Sequence, residues 1–414
     1  MKIREFPSGV KIDEWFEDDT IPTLKELGKK YNITYYGVEN DGNVYTKEIQ
    51  FAIDEAASKG GGVIYVPKGV YLTGALYFKK GVHLYIEEDG VLKGSDDIND
   101  YVLEETRIEG QTCLYYSAMI NADSCDGFTI AGKGIIDGNG DKSWKAFWNR
   151  RKWNPSCTNK DEQRARLIYI QNSSNVTFAN VTIQNAQFWT THLYKCDHVR
   201  YINCNIFSPL PAPSTDAIDI DVCDDILIKN CYISVNDDGV VLKGGKGPWA
   251  DQDPNNGKNE RILIDSCYFG FCHSCFTCGS ESIEDRDVVI RNCELNGPLA
   301  FFKLKMRPDT PQVYEYIHVS NIKGEVESFL DIHPWTQFFD LQDREDIPLS
   351  YARYITFDTI DVICDIFFDV AKDESQYVLS DFTFEDLRIE GKDTSLPKHM
   401  IKNMLVGAVE AKQR

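Results

Sequence analysis

Short apolar segments recur along the chain from about residue 165 onward, each interrupted by one small polar residue, usually Asn. The phrases include VTFANVTI, VRYINCNI, ILIKNCYI and VVIRNCEL. The interrupting residues, spaced by 23 to 37 positions, are Asn180, Asn203, Asn230, Ser266, Asn292, Asn321, Asp358 and Asp386. A strand-rich repeat without helices between the phrases is typical of a β-solenoid. We therefore predict an all-β fold, a single right-handed parallel β-helix, whose stacked coils lie about 4.8 Å apart and align equivalent side chains in columns.

The N-terminal part of the chain has a different pattern. In TKEIQFAIDEAASKG the apolar residues between Ile49 and Ala57 follow helical spacing, and the glycines Gly60–Gly62 end the pattern. Strand-like segments follow in GVIYVPKGVYLTG. A short helix before a solenoid is suited to cover its open apolar end, so we expect a capping helix here.

We divide the chain into three parts on this pattern. Residues 1–31 form an N-terminal extension, residues 32–393 form the parallel β-helix, which would be the catalytic domain, and residues 394–414 form a C-terminal tail. The tail segment KHMIKNMLVGAVEAK predicts a second capping helix.

Charge and composition exclude several classes of protein. The formal net charge of −21 argues against binding to nucleic acid or to an anionic membrane surface, and no apolar run approaches the roughly 20 residues that span a bilayer. The 13 cysteines are odd in number and scattered, which favours reduced thiols over a disulfide framework. Since the N-terminal sequence also lacks an apolar signal region, we expect a cytoplasmic location.

Two segments resemble metal sites, but neither has the ligands to complete one. Cys272, Cys275 and Cys278 are spaced like an iron–sulfur triplet, yet Ser282 stands where a fourth cysteine would be needed. The loop WADQDPNNGKNE resembles a calcium loop, yet Ile262 replaces the required glutamate. We expect no metal and no cofactor. Four other cysteines follow the interrupting polar residues and should form a buried column: Cys204, Cys231, Cys267 and Cys293.

Aligning successive coils in one register places several acidic residues close together. When TTHLY, AIDID, GVVLK, CFTCG and FFKLK share one register, the inward positions are all apolar: Leu193, Ile220, Leu242, Cys278 and Leu304. The outward positions and strand entrances then place acids beside basic and aromatic side chains. These residues are Trp189, His192, Asp216, Asp237, Asp238, His273, Lys303 and Lys305. Two adjacent carboxylates repel, and their crowding raises the pKa of one of them.

At these residues the sequence resembles glycoside hydrolase family 28, the polygalacturonases and their relatives, over roughly residues 32–310. The Asn-Thr-Asp motif of the family looks like Ser214-Thr215-Asp216, and its Asp-Asp motif is Asp237-Asp238. Its Gly-His-Gly falls in FCHSCFTCGSE, and its Arg-Ile-Lys looks like Lys303-Leu304-Lys305. Three motifs are altered, because serine replaces Asn, Ser274 occupies the family's histidine position next to His273, and Lys303 replaces arginine.

The resemblance implies an inverting glycosidase that cleaves α-linked galacturonic acid in pectic polysaccharides or oligosaccharides. It implies that Asp237 is the general acid and that Asp216 and Asp238 hold and activate the water. Such an enzyme needs one protonated carboxyl and one ionised carboxylate, and crowding supplies both. We expect exo-action, while galacturonan and rhamnogalacturonan both remain open as substrates.

The same resemblance suggests how the sugar is bound. Lys303 and Lys305 would bind the sugar carboxylate, His273 would tune Asp237, and His192 would line the groove together with Trp189. Lysine at position 303 keeps the charge of arginine but loses its planar fork.

Two other functions share the predicted fold. One is a pectic lyase that cleaves uronides by β-elimination, and the other is a non-catalytic carbohydrate-binding solenoid. An unsaturated product would identify the lyase, and the absence of any product would identify the binding protein. The clustered acids favour the hydrolase.

Overall fold

The computed structural model describes residues 4–414 as one continuous parallel β-helix. In the first coils, strands β1 to β11 are Lys30–Asn32, Gly62–Val66, Gly69–Thr73, Leu76–Phe78, Val82–Ile86, Gly90–Gly94, Leu103–Ile108, Gln111–Tyr116, Ile120–Asp123, Thr129–Gly132 and Ile135–Asp137. In the middle coils, β12 to β21 are Ile168–Gln171, Thr177–Ala179, Thr182–Gln184, Thr191–Tyr194, Asp197–Ile202, Asn205–Phe207, Ile218–Asp221, Asp224–Lys229, Tyr232–Ser234 and Asp238–Lys243. In the last coils, β22 to β32 are Lys258–Asp265, Tyr268–Phe269, Ser274–Cys278, Glu284–Arg291, Glu294–Asn296, Ala300–Met306, Val313–Pro334, Ser350–Val370, Tyr377–Asp393, Leu405–Val406 and Val409–Gln413.

Each coil contributes one strand to each of three parallel sheets. The first sheet contains β2, β5, β10, β13, β16, β19, β22 and β25. The second contains β3, β6, β11, β14, β17, β20, β23 and β26. The third contains β4, β9, β12, β15, β18, β21, β24 and β27. The long strands β28, β29 and β30 continue the coil with bends instead of breaks. The predicted all-β parallel β-helix is confirmed.

The turns between the first and second sheets explain the repeated asparagines. Asn180, Asn203 and Asn230 have φ angles of 61°, 54° and 55°, in the left-handed region that asparagine tolerates better than most residues. Their side chains also stack, since Asn203 Nδ2 donates to Asn180 Oδ1 at 3.1 Å. The repeat is therefore a column of left-handed turns that starts each new strand in the same direction.

The interior is filled by the columns that the register predicts. Leu193, Ile220, Leu242, Cys278 and Leu304 are all buried. The four cysteines of the predicted column are also buried, and all 13 cysteines are free. Towards the C-terminal end the core becomes aromatic, with Phe357 contacting Phe302, Phe329 and Phe384.

Two helices and one hairpin are added to the coils. Helix α1 (Thr46–Ser58) buries Ile49, Ala52 and Ile53 against the first coil, so the predicted N-terminal capping helix is confirmed. Helix α2 (Asp141–Trp153) is inserted between β11 and β12, and the antiparallel hairpin β7–β8 is inserted between β6 and β9. Within residues 4–414 no helix is long and apolar enough to cross a membrane.

The predicted C-terminal capping helix is wrong. The segment instead forms β31 and β32, with Thr383 paired to Leu405 and Leu387 paired to Val409. The last edge of β30 would otherwise leave a row of backbone hydrogen-bonding groups unpaired, and the chain end supplies partners for them. The parallel β-helix therefore extends beyond residue 393 into the tail.

Residues 6–16 of the predicted N-terminal extension pack along the outside of the first sheet. Phe6, Ile12 and Phe16 form an apolar cluster with residues of four successive strands, which are Ile202, Leu227, Leu263 and Val289. The segment therefore ties several coils together from outside.

We expect Phe357→Ala to destabilise the protein by about 3–5 kcal/mol, because it removes a ring that packs against three others and leaves a cavity. Urea unfolding followed by circular dichroism measures the loss. The matched control is Phe51→Ala, which removes a ring that is 63% exposed and should cost less than about 0.5 kcal/mol. Equal losses in both variants would contradict the assigned core.

Candidate active site

Three carboxylates meet where strands of the third sheet begin. Asp238 is the first residue of β21, Asp237 precedes it, and Asp216 occupies the equivalent position one coil earlier. The coils are locked together there, because Ala217 N donates to the Asp238 carbonyl oxygen at 3.0 Å. One side-chain oxygen from each aspartate lies within 4.8 Å of the others. The structure thus brings together the three aspartates predicted as catalytic.

Asp238 is held in its ionised form. Burial opposes ionisation, but Lys305 Nζ lies 2.5 Å from Asp238 Oδ2, and Ser274 Oγ donates to Asp238 Oδ1 at 2.9 Å. These contacts outweigh burial and lower the pKa of Asp238 below its usual range. Ser274, which occupies the family's histidine position, thus serves as a hydrogen-bond donor to this carboxylate.

Asp216 has the opposite environment. Burial and the neighbouring charges of Asp237 and Asp219 raise its pKa well above the usual value. Lys243 Nζ, 3.6 Å from an Asp216 oxygen, offsets only part of this effect. Two carboxyl groups of one cluster therefore differ in the direction of their pKa shifts, the condition under which one can hold a proton while the other accepts one.

His273 contacts Asp237 although it is one position away from the family's histidine. Its Nδ1 lies 3.4 Å from Asp237 Oδ1, and its side chain is partly open to the cleft. Hydrogen bonding to Asp237 outweighs burial and raises the pKa of His273. A protonated imidazole is thereby favoured beside this aspartate.

Lys303 and Lys305 both line the cleft, but each is already paired with a carboxylate. Lys303 Nζ lies 2.6 Å from Asp331 Oδ2, and Lys305 holds Asp238 as described above. Trp335 packs beside both ammonium groups, with Lys305 Nζ 4.8 Å from the ring centre.

The prediction that His192 lines the groove is wrong. The hairpin β7–β8 packs on the coil that contains β15, and its Arg107 pairs with Asp221. His192 of β15 is fully buried next to these contacts. Its Nδ1 lies 2.8 Å from an Arg166 nitrogen and its Nε2 lies 3.3 Å from Asp221. Burial lowers the pKa of His192 to about 4. Trp189, in contrast, does line the cleft.

Lys243 is a residue of the site that the sequence reasoning did not select. Its buried Nζ lies 3.3 Å from Asp219, 3.6 Å from Asp216 and 3.4 Å from Glu281. Asp219 is fully buried, and burial raises its pKa to about 7 despite Lys243. Asp219 lies in the segment AIDID and Lys243 in GVVLK, at outward positions of the aligned coils, so the alignment already contained this information.

The cleft has a volume of about 610 Å³. Asn159 Nδ2 donates to Glu109 Oε1 in the turn of the hairpin, and Ser214 Oγ donates to Asn159 Oδ1, both at 3.1 Å. These three hydrogen-bonded residues, here called the wall, line the cleft together with Asp216. The aromatic rings of Trp335 and Phe338 also line it.

The same three carboxylates are the candidate ligands for a cation. Lys305 Nζ already neutralises Asp238 at hydrogen-bond distance, and Lys243 lies beside Asp216. The lysines therefore meet the charge that a cation would otherwise balance, and no step of the chemistry below is assigned to a metal.

The sequence of the chain matches the model of a known family. A sequence model described as "Glycosyl hydrolases family 28" matches residues 64–325. A probable polygalacturonase of Vitis vinifera is 28% identical over 222 residues, which are 51% of this chain and 44% of that protein. An exopolygalacturonase of Platanus acerifolia is 22% identical over 293 residues, 70% of each chain. The matched region thus spans less than half of the grapevine protein.

Solved structures share the fold. An exopolygalacturonase from Thermotoga maritima superposes with a TM-score of 0.73 at 21% identity, covering 93% of this chain and 92% of the other. A family 28 exopolygalacturonase of Yersinia enterocolitica gives a TM-score of 0.69 at 18% identity, covering 93% and 78%. At these identities the likeness supports the β-helix architecture.

We expect Lys305→Met to destabilise the protein by about 3–5 kcal/mol at neutral pH, because the buried Asp238 carboxylate loses its cation. In the wild type the pKa of Asp238 is lower in the folded than in the unfolded state, so its stabilising contribution is lost as the pH falls. In the variant, burial alone should raise that pKa, so protonation should relieve the cost. The difference between the two proteins should therefore shrink towards about pH 4.

Urea unfolding at several pH values measures this difference. The control is Lys323→Met, which breaks an exposed pair with Glu294 and should cost less than about 1 kcal/mol. A loss that does not change with pH would mean that Lys305 acts through packing and not through its charge.

Proposed function

The chain belongs to glycosyl hydrolase family 28, and we propose that it removes α-linked galacturonic acid from the ends of pectic oligosaccharides by inverting hydrolysis. The observation that carries this proposal is the group of three carboxylates within 4.8 Å of one another in the cleft. The pKa values of Asp216 and Asp238 are shifted in opposite directions, which suits a cluster that must hold one proton and accept another.

Asp237 is the proposed general acid. Its side chain is 25% exposed, while those of Asp216 and Asp238 are 7% and 2% exposed, so Asp237 is the most accessible to a glycosidic oxygen. The raised pKa of Asp216 keeps a proton within the cluster, from which Asp237 can be supplied. His273 lies beside Asp237, and its own charge would influence the protonation of that carboxyl group.

Asp238 is the proposed general base. Held ionised by Lys305 and Ser274, it accepts a proton from water, while Asp216 holds that water in place. The water oxygen forms a bond to the anomeric carbon, and the bond from that carbon to the leaving oxygen breaks. The leaving oxygen takes the proton of Asp237, so the two carboxyl groups exchange protonation states in each turnover.

Exo-action is proposed because of the wall formed by Asn159, Glu109 and Ser214, which lines the cleft together with Asp216. On this proposal the wall blocks a polysaccharide from running along the third sheet past the aspartates, so that a chain end is bound. The exopolygalacturonases from plants and bacteria among the similar proteins agree with this proposal.

Lysines of the cleft would bind an acidic sugar in a protein of net charge −21. We retain Lys303 and Lys305 as proposed contacts of the sugar carboxylate, in addition to their ion pairs with Asp331 and Asp238. The proposed partner is thus an acidic pectic oligosaccharide or polysaccharide. A cytoplasmic location, which the free cysteines favour, would suit imported oligosaccharides.

We predict that the purified protein converts pentagalacturonate first into galacturonic acid and a tetramer, both saturated. Chromatography of early time points identifies the products by their length, and ultraviolet absorbance reveals any unsaturated product. Asp237→Asn should fold normally and lower turnover by about 10²–10⁴-fold, since an amide supplies no proton.

Three outcomes would contradict the proposal. Dimers and trimers as first products would mean endo-action, and an unsaturated product would mean a lyase. Near wild-type turnover in folded Asp237→Asn would remove this aspartate from the acid role.

A further inference from the structure

Most basic side chains of the cleft are neutralised by the protein itself. Those with a carboxylate within 4.0 Å are Lys243, Lys303, Lys305 and Arg307. Lys246 lines the same cleft, and among residues 4–414 it has neither a carboxylate within that distance nor a side-chain hydrogen bond. Its charge is therefore available to a ligand.

Arg151 also lines the cleft without a carboxylate, but its side chain is occupied differently. Its Nε donates to the Cys157 carbonyl oxygen at 3.1 Å, and its guanidinium carbon lies 5.0 Å from the Phe147 ring centre. These contacts fix the side chain of Arg151 against the protein, whereas the side chain of Lys246 has no such contacts with the described residues.

The backbone around Lys246 is held in place by Glu281 and by the turn of the hairpin. The amides of Gly244 and Gly245 donate to the Glu281 carbonyl oxygen at 2.7 and 3.1 Å. The hairpin turn packs tightly on this loop, since a Cβ at Gly110 would lie 2.9 Å from the Lys246 amide nitrogen. Lys246 is therefore a half-buried lysine on a rigid loop beside the wall.

Glu281 is an acid that interacts with Lys246 without forming an ion pair with it. Burial opposes the ionisation of Glu281, but Lys243, Lys246 and Arg307 together lower its pKa far below the usual range. Lys243 is also balanced by Asp219, and Arg307 by Asp309, so Lys246 is the member of this group without a carboxylate of its own in the described part of the chain. An anion bound in the cleft beside Lys246 would be stabilised by its charge.

We propose that Lys246 binds the carboxylate of the terminal uronic acid residue, and so makes the enzyme select chains that end in a charged sugar. The choice of ligand rests on the proposed function, because exo-action places the chain end against this wall. Lys246 is thus a specificity-determining residue, distinct from the lysines that hold Asp238 and Asp331.

The test compares two trigalacturonates that differ only in whether the non-reducing terminal carboxyl is free or methyl-esterified. We expect the wild type to prefer the free acid by about tenfold in kcat/KM, the size of one charge-assisted contact. Lys246→Met should lose this preference while its kcat/KM on the esterified substrate stays unchanged. Lys246→Arg should restore most of the preference, and the exposed control Lys133→Met should behave as wild type.

A Lys246→Met variant that keeps the preference, or that slows both substrates equally, would overturn the proposal. Calorimetric titration with galacturonate and its methyl ester separates this proposal from the proposed function. If the protein hydrolyses neither trimer but binds galacturonate through Lys246, the inference stands and the hydrolase function fails. If galacturonate binding is absent or unaffected by Lys246→Met, the inference fails.

Discussion

The parallel hydrogen-bonded ladder between coils is the constraint on which the rest of the structure depends. Because adjacent coils are in register, residues 20 to 40 positions apart in sequence become neighbours about 4.8 Å apart. Asp216 and Asp238 meet in this way, and Ser274 lies one coil beyond Asp238. The left-handed asparagine turns preserve this register, so they contribute to the site although they lie outside the cleft.

The stacked columns bring buried carboxyl groups close together, and two lysines offset part of the resulting repulsion and loss of hydration. Buried aspartates on adjacent coils would repel and lose hydration, and each would then be neutral. Lys305 stabilises the charge on Asp238, while Lys243 only partly offsets the burial of Asp216 and Asp219. This unequal compensation favours a proton on Asp216 beside an ionised Asp238. In the proposed chemistry Asp238 is therefore free to accept a proton from water, while the cluster retains one.

The features that follow from the register between coils could be predicted from the sequence. The inward column from Leu193 to Leu304 and the convergence of the three aspartates follow from register alone, and helix α1 follows from its apolar spacing. The two wrong predictions concern residues whose surroundings are formed by segments distant from them in the sequence. His192 was expected at the surface because no local pattern shows that the hairpin β7–β8 folds over it. The C-terminal helix was predicted from composition, whereas the free edge of β30 determines the structure there.

The altered motifs needed the structure for their interpretation. Sequence could not decide whether His273 reaches the acids or what Ser274 does in the position of a histidine. In the structure His273 contacts Asp237, and Ser274 donates to Asp238. Lys243 and Lys246 lay outside the recognised motifs, and their different roles depend on which carboxylates the fold brings near each of them.

The anomeric configuration of the first product tests the central account most directly. The aspartate oxygens are closer than the carboxyl separation of about 6.5–9.5 Å typical of inverting glycosidases, so the configuration of the product distinguishes water activation from direct attack by an aspartate. Our account has Asp238 activating water instead of attacking the sugar. Proton NMR of freshly cleaved α-linked substrate, recorded before mutarotation, should show β-galacturonic acid. An α product would require a covalent intermediate on an aspartate and would contradict the roles assigned here.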